Sequence, residues 1–232
     1  MSLIKGCVKY CAMILCFWGE KIMKDIPMFT TQNGVASLTL KEIPLRLTAY
    51  IKILSSEEPI KLLEECVAFC RMCGAEYIYA SGSDCLLENP LSATLVQMIA
   101  SDLPETDACL FPVTESTVSL WREIYNDRMK LVPNASSMNL ADEKKILQDG
   151  KCYFIHKNSE LLGIGMVSDD SIEAVASVKK GAGEDCVLAL ASLLNVDRVK
   201  LVVAEQNKAA ISLYKRMGFI AVKEIARWYK II

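Results

Sequence analysis

The stretch EQNKAAISLYKRMGF, Glu205 to Phe219, decides how the second half of this chain is read. It reads as a helix that carries one asparagine near its start, one tyrosine and a terminal glycine. Residues seven apart lie two turns apart on nearly one helical face, so Asn207 and Tyr214 are expected to look toward the same neighbour. Ala209 and Ala210 between them are small and let that neighbour come close. Gly218 supplies the left-handed residue that ends the helix and turns the chain into FIAV.

Working outward, RVKLVVA precedes this helix as a strand, and EDCVLALASLL before it reads as another helix. Between that helix and the strand SIEAVASV lies KKGAG. A strand that ends in a loop of glycine and lysine and then opens a helix leaves backbone N–H groups pointing outward. The helix dipole adds positive potential there, and glycine permits close approach. Such a place suits a pyrophosphate, with Lys179 and Lys180 adding charge; the same residues also fit an ordinary strand-to-helix turn. Upstream, KCYFIHKN and ELLGIGMVSDD predict a hairpin about Asn158–Ser159, and ESTVSLWREIYNDRM and SSMNLADEKKILQDG predict two helices. After Gly218, FIAVKEI and RWYKII read as two strands. The order α-α-β-β-β-α-β-α-β-β excludes a simple parallel doubly wound sheet, because three strands arrive before any crossover helix.

Over residues 107–232 the sequence resembles the GCN5-related N-acetyltransferase superfamily. The likeness rests on IEAVASVKKGAGEDCVLALASLL and on the spacing N-x-x-A-x-x-L-Y-x-x-x-G-F, matched by Asn207, Ala210, Leu213, Tyr214, Gly218 and Phe219. The resemblance implies a mixed-sheet α/β acyltransferase fold, acetyl-coenzyme A as co-substrate and a primary amine, on a small molecule or a peptide, as acceptor. It implies that Ser177, Val178, Lys179, Lys180, Gly181, Ala182 and Gly183 cradle the coenzyme with Asn207 and Ala210. Ser177 and Val178 would offer backbone N–H to the thioester oxygen. Tyr214 would protonate the departing thiolate, and Glu173, partly buried between Ile172 and Ala174, would act as base, through a water. Glu173 equally fits a solvent-facing strand residue, and Tyr214 a half-buried packing residue. One departure stands out: the family writes its loop Q/R-x-x-G-x-G/A, and Val178 holds the place of the Gln or Arg. A non-catalytic acyl-coenzyme A binding module fits the same resemblance.

The totals narrow the setting. In 232 residues, 52% apolar and 23% charged, a full core can be buried. A formal charge of −2 gives no electrostatic case for nucleic acid. Ten cysteines sit largely inside apolar runs in a chain that is neither short nor core-poor, which points to free thiols in a reducing cytoplasm. The uncharged run Tyr10–Gly19 is too short to span a bilayer and no small-x-small site follows it, so it is expected to be a buried strand, with no membrane role. Cys66, Cys70 and Cys73 have C-x₃-C-x₂-C spacing, similar to iron–sulfur ligands, but the same spacing is one stripe of a helix beside Leu62, Leu63, Val67 and Phe69. His156, the sole histidine, lies mid-strand and reads as structural, so no metal is expected.

The first half, residues 1–106, reads as strands in VASLTLKEIPLRLTAYIKIL, a helix from Pro59 to Gly74, a strand at Glu76–Ala80 and a helix in LSATLVQMIASDL ended by Pro104. ACLFPV follows as a strand. Laying NPLSATLV on NKAAISLY makes this half a worn second copy, with Val96 in the place of Tyr214. That gives two domains, 1–106 and 107–232, in a monomer or homodimer. Trp121, Tyr125 and Trp228 are aromatic candidates for the walls of an acceptor pocket.

Overall fold

The structure, a computed structural model, describes residues 23–130, 132 and 135–232; the strand expected at Tyr10–Gly19 lies outside them. The chain divides into two compact units, the first ending at Ile78 and taking in Ile232, the second running Tyr79–Ile231. The sequence reading places its division at residue 106 instead.

In the first unit a Gln32–Asn33 turn joins β1 (Ile26–Thr31) and β2 (Gly34–Thr39) into a hairpin. A single helical turn, α1 (Ile43–Arg46), leads to β3 (Thr48–Ser55), antiparallel to β2. Helix α2 (Pro59–Met72) starts on its proline, whose missing N–H costs nothing at a helix's first position. It buries Leu62, Cys66 and Cys70 in one stripe. Burial pushes the Cys66 and Cys70 thiols up to about 12, so both stay protonated and pack as small apolar groups.

The second unit holds a mixed sheet. Its strands are β4 (Tyr77–Ser81, running across the division), β5 (Leu91–Ala100), β6 (Cys109–Pro112), β7 (Cys152–Lys157), β8 (Glu160–Val167), β9 (Ser171–Ser177), β10 (Val199–Ala204) and β11 (Ile220–Lys230). They lie in the order β4-β11-β5-β10-β9-β8-β7-β6. Only β9 and β10 run parallel; every other pairing is antiparallel. Asn158 and Ser159 both take positive φ, 52° and 63°, which closes the β7–β8 hairpin as expected.

Helices cover both faces. On one, α3 (Val118–Met129) and α4 (Leu140–Asp149) bury Trp121, Tyr125 and Ile146 against β7, β8 and β9. Asn139 and Asp142 form a reciprocal cap for α4, and Gly150 closes it in the left-handed region. On the other face lie α5 (Gly183–Ala191) and α6 (Lys208–Arg216), over a core that includes Ile155, Leu162, Leu190, Leu201 and Phe219. Two glycines of β8 let α5 lie flat on the sheet. A Cβ on Gly165 would fall 2.2 Å from Leu190 Cδ1, and one on Gly163 would fall 2.8 Å from Cys186 Sγ.

Two expectations are corrected. LSATLVQMIASDL is strand β5, not a helix: from Thr94 onward its burial alternates, with Thr94, Val96, Met98 and Ala100 inward, and it pairs on both edges with β10 and β11. The overlay of NPLSATLV on a helix therefore fails. FIAVKEI and RWYKII are one strand, β11, whose three register shifts against β5 absorb the irregular pattern that reads as a break.

Because β5 lies between β10 and β11, a chain cut to residues 107–232 exposes a full edge on each. We expect that fragment to aggregate, whereas a chain starting at residue 23 runs as a soluble species in size-exclusion chromatography; a soluble, folded 107–232 fragment contradicts this.

Candidate active site at a break between parallel strands

The parallel ladder of β9 and β10 is short. Lys200 partners Ser171 and Leu201 partners Ile172, and the pairing ends there. Each strand goes on along its other neighbour: β9 pairs β8 as far as Ser177, and β10 pairs β5 to Ala204. The break coincides with a bulge. Met166 partners Ala174 while Val167 partners Ile172, leaving Glu173 as the extra residue. The bulge turns Ile172 and Val175 to the α5 side and Ala174 and Ala176 to the α3 side.

Backbone direction past the bulge follows from one hydrogen bond. Val178 N–H donates to the Leu162 carbonyl at 2.8 Å, toward β8. Successive residues of a strand point their N–H to opposite edges, so Ser177 and Val175 direct theirs toward the side where β10 no longer pairs. Of the two residues expected to hold a thioester oxygen, Ser177 keeps a free direction. Val178 does not, because the β8–β9 ladder extends one residue beyond the strand. Val175 was missed in the sequence; the two-residue alternation from Ser177 is the signal that finds it.

The loop that follows is open. Gly181 has φ +88° with nothing within 4 Å of a Cβ built on it, and Lys179 and Lys180 are exposed. Lys179 is paired with Glu160. Ala182 is buried as the N-cap of α5, and no side chain caps that helix, so its first N–H groups remain open to an acceptor. Gly183 lies against α6, where a Cβ would come within 2.9 Å of Leu213 Cδ2. The start of α5 thus packs against α6, whose own start follows the end of β10.

On α6 the expected pair splits its work. Asn207 is the N-cap, its Oδ1 accepting from Ala210 N–H at 3.2 Å. Tyr214 is only 7% exposed and belongs to the same apolar cluster as Ala182, Val187 and Phe219, with the Phe219 ring 5.7 Å away. Burial pushes the phenol up to about 12. Glu173, expected to be partly buried, is exposed and accepts a hydrogen bond from Ser168 Oγ at 2.8 Å. The bulge turns it out of the face its neighbours bury. Trp121 and Tyr125 are core residues, stacked at 5.4 Å with the indole N–H on the Tyr153 carbonyl, so they wall no cleft.

No family model and no curated protein sequence matches the chain. Solved structures do. A GCN5-related N-acetyltransferase from Sphaerobacter thermophilus matches with a TM-score of 0.54 and 10% identity, over 84% of this chain and 75% of that one. The fold is that of the GCN5-related N-acetyltransferases. A tandem GNAT protein from the clavulanic acid biosynthesis pathway matches at 0.52 and 13% identity, over 85% and 78%. A functionally unknown conserved protein from Staphylococcus epidermidis matches at 0.54 and 13%, over 87% and 91%.

The raised phenol of Tyr214 has a measurable consequence. Below pH 10 the folded and unfolded chains both hold its proton; between about 10 and 12 only the folded chain does, so stability falls as pH rises, by about 1.4 kcal/mol per unit for one such group. The buried cysteines contribute in an overlapping window. Tyr214→Phe should therefore flatten, without abolishing, the loss of urea stability between pH 10 and 11.5. An unchanged slope contradicts the buried phenol.

Proposed function

We propose that the chain is an N-acetyltransferase that moves the acetyl group of acetyl-coenzyme A to a primary amine on a small molecule or peptide, in the cytoplasm, as a monomer or homodimer. The observation that carries this reading is the break between β9 and β10, with a helix starting after each of these strands and an open glycine loop after β9. The acetyl-bearing arm of the co-substrate would lie in the break, where the N–H groups of Ser177 and Val175 offer donors to the thioester oxygen and to the oxyanion formed from it. The uncapped start of α5 with Lys180 suits the pyrophosphate. Lys179 is less available because Glu160 neutralises it.

In the transfer, the amine nitrogen attacks the thioester carbon, the C–S bond breaks, and the coenzyme leaves as a thiol. Tyr214 holds its proton at any physiological pH because burial disfavours the phenolate, and that neutral form is the one able to donate to sulfur. Glu173, exposed beside the break, accepts the ammonium proton through water. The bland alternative, an acyl-coenzyme A binding module without turnover, is favoured by two observations: Tyr214 is packed among apolar side chains, and Glu173 is already held by Ser168.

We propose further that the first half is a worn second copy, in a different register from the helix overlay. Strands β4 and β5 correspond to β10 and β11: at the sheet's middle, β4-β11-β5-β10, each copy's inner strand pairs with the other copy's last one. The likeness to the tandem protein supports this, since it extends over more of the chain than residues 107–232 contain.

Acetyl-coenzyme A is expected to raise the thermal midpoint, and an amine panel to reveal turnover. Lys180→Glu should weaken coenzyme binding more than Lys179→Glu. Tyr214→Phe should lower kcat by roughly 10²-fold with little change in coenzyme affinity. Binding without turnover selects the module reading, and no binding refutes both.

A further inference from the structure

Strand β6 is the outermost strand of the second unit's sheet, so one of its edges has no strand beside it among the described residues. One hydrogen bond fixes which groups lie on that edge. Val113 N–H donates to the Cys152 carbonyl at 3.0 Å, toward β7. Successive residues of a strand turn their backbone groups to opposite edges, so Cys109 and Phe111 also face β7, while Leu110 and Pro112 face outward. Proline has no N–H to offer. The open edge therefore presents the Leu110 N–H, the Leu110 carbonyl and the Pro112 carbonyl. Pro112 keeps the row short, which restrains open-ended sheet growth without removing the site.

Beside this edge, on the α3 face, runs a groove of about 570 Å³. Phe111 stands opposite Phe154 across the β6–β7 pair, and both line the groove with Leu120 of α3 and Leu161 of β8. Phe111 is 53% exposed and Leu120 52% exposed. Large apolar side chains left in water next to unpaired backbone mark a surface that a partner covers.

The charge around the edge has one sign. Residues 101–116 carry Asp102, Glu105, Asp107 and Glu115 and no lysine, arginine or histidine. All four carboxylate residues are exposed. Lys157 meets Asp107 at 2.7 Å and Asp185 at 3.0 Å, one positive charge between two carboxylates, and Lys179 is neutralised by Glu160. Both ends of β6 are therefore flanked by negative charge, which draws a basic partner.

We propose that the outer edge of β6 and this groove dock an extended peptide with alternating apolar residues and with lysine or arginine at both ends. The peptide residue opposite Leu110 exchanges both backbone bonds with it. Its two neighbours fall opposite Cys109 and Phe111, and directly opposed side chains share a face of the sheet, so those two lean into the groove. Backbone bonds supply affinity and the groove selects the alternate side chains, as in other strand additions to a sheet edge. A lipid tail could fill the groove but would leave the Leu110 N–H and carbonyl unpaired. A second copy of this chain fits less well. Pairing Leu110 with its own counterpart brings Glu105 of each copy toward Glu115 of the other, and like charges repel. The docking edge is independent of acetyl transfer at the break between β9 and β10 and shares no residue with that site.

The test titrates the full chain into the fluorescein-labelled peptide Lys-Lys-Leu-Thr-Leu-Lys-Lys and follows fluorescence anisotropy. Exchanging the lysines for glutamates, or the leucines for serines, should weaken binding at least about tenfold. The backbone bonds are tested in the peptide, which leaves the protein's fold untouched. An N-methyl group on the threonine, whose N–H meets the Leu110 carbonyl, should weaken binding at least about tenfold. N-methyl groups on the leucines, whose N–H groups point away from β6, should change it less than about threefold. Leu120→Lys, at an exposed position, should weaken binding at least about fivefold at an unchanged thermal midpoint. No saturable binding, equal effects of the two methylations, or tight binding of the glutamate peptide overturns the proposal. So does a dimer of the chain that the peptide fails to dissociate, which assigns the edge to a second copy instead.

Discussion

Two pairs of residues, Ser171 with Lys200 and Ile172 with Leu201, are all that joins β9 to β10. Everything proposed for the site depends on how little that is. Each strand has a stronger claim elsewhere, β9 to β8 and β10 to β5, and those antiparallel ladders continue past the point where the parallel one stops. Backbone N–H and C=O groups that face the break must find partners in water or in a ligand, since unpaired ones in the interior are costly. The β9-α5-β10 crossover places the start of α5 at the carboxyl end of β9, and α6 starts at the corresponding end of β10. Ligands of open α/β sheets bind at such carboxyl ends. A broken ladder and two helix starts therefore come from one topological fact.

Much of the second unit was legible because its punctuation is chemical. Asn139 and Gly150 bracket α4, Asn158 and Ser159 take the turn, and Gly218 with φ +91° ends the chain's last helix. Strand β5 was not legible. Its ten residues form an apolar run bounded by prolines, which fits a short helix as well as a strand, and only pairing on both edges decides the matter. The hairpin of β1 and β2 turns at Gln32 and Asn33 with Gly34 already paired to Thr31, so the Asn-Gly pair in the sequence does not itself fill the turn.

Within the candidate site, spacing located the residues but not their surroundings. The motif put Asn207 at the head of α6, yet its side chain is spent on the helix cap. It put Tyr214 on the helix, yet whether that phenol is wet or packed depends on Phe219, Ala182 and Val187, which arrive from elsewhere in the fold. Glu173 illustrates the limit most clearly. Strict alternation assigns it one face of β9, but a single extra residue in the ladder re-aims the strand, and nothing in SIEAVAS marks where that bulge falls.

The middle of the second unit's sheet shows what the residues before 106 contribute to the break. Strand β5, contributed from before residue 106, covers one edge of β10 along six residue pairs and one edge of β11 along eight. Without it, β10 would have both edges unpaired beyond Leu201, and the break beside β9 would be a frayed strand rather than a fixed opening. An opening can present Ser177 and Val175 at a constant spacing only if the strand across from it is anchored on its far side. In this sheet that anchor is β5.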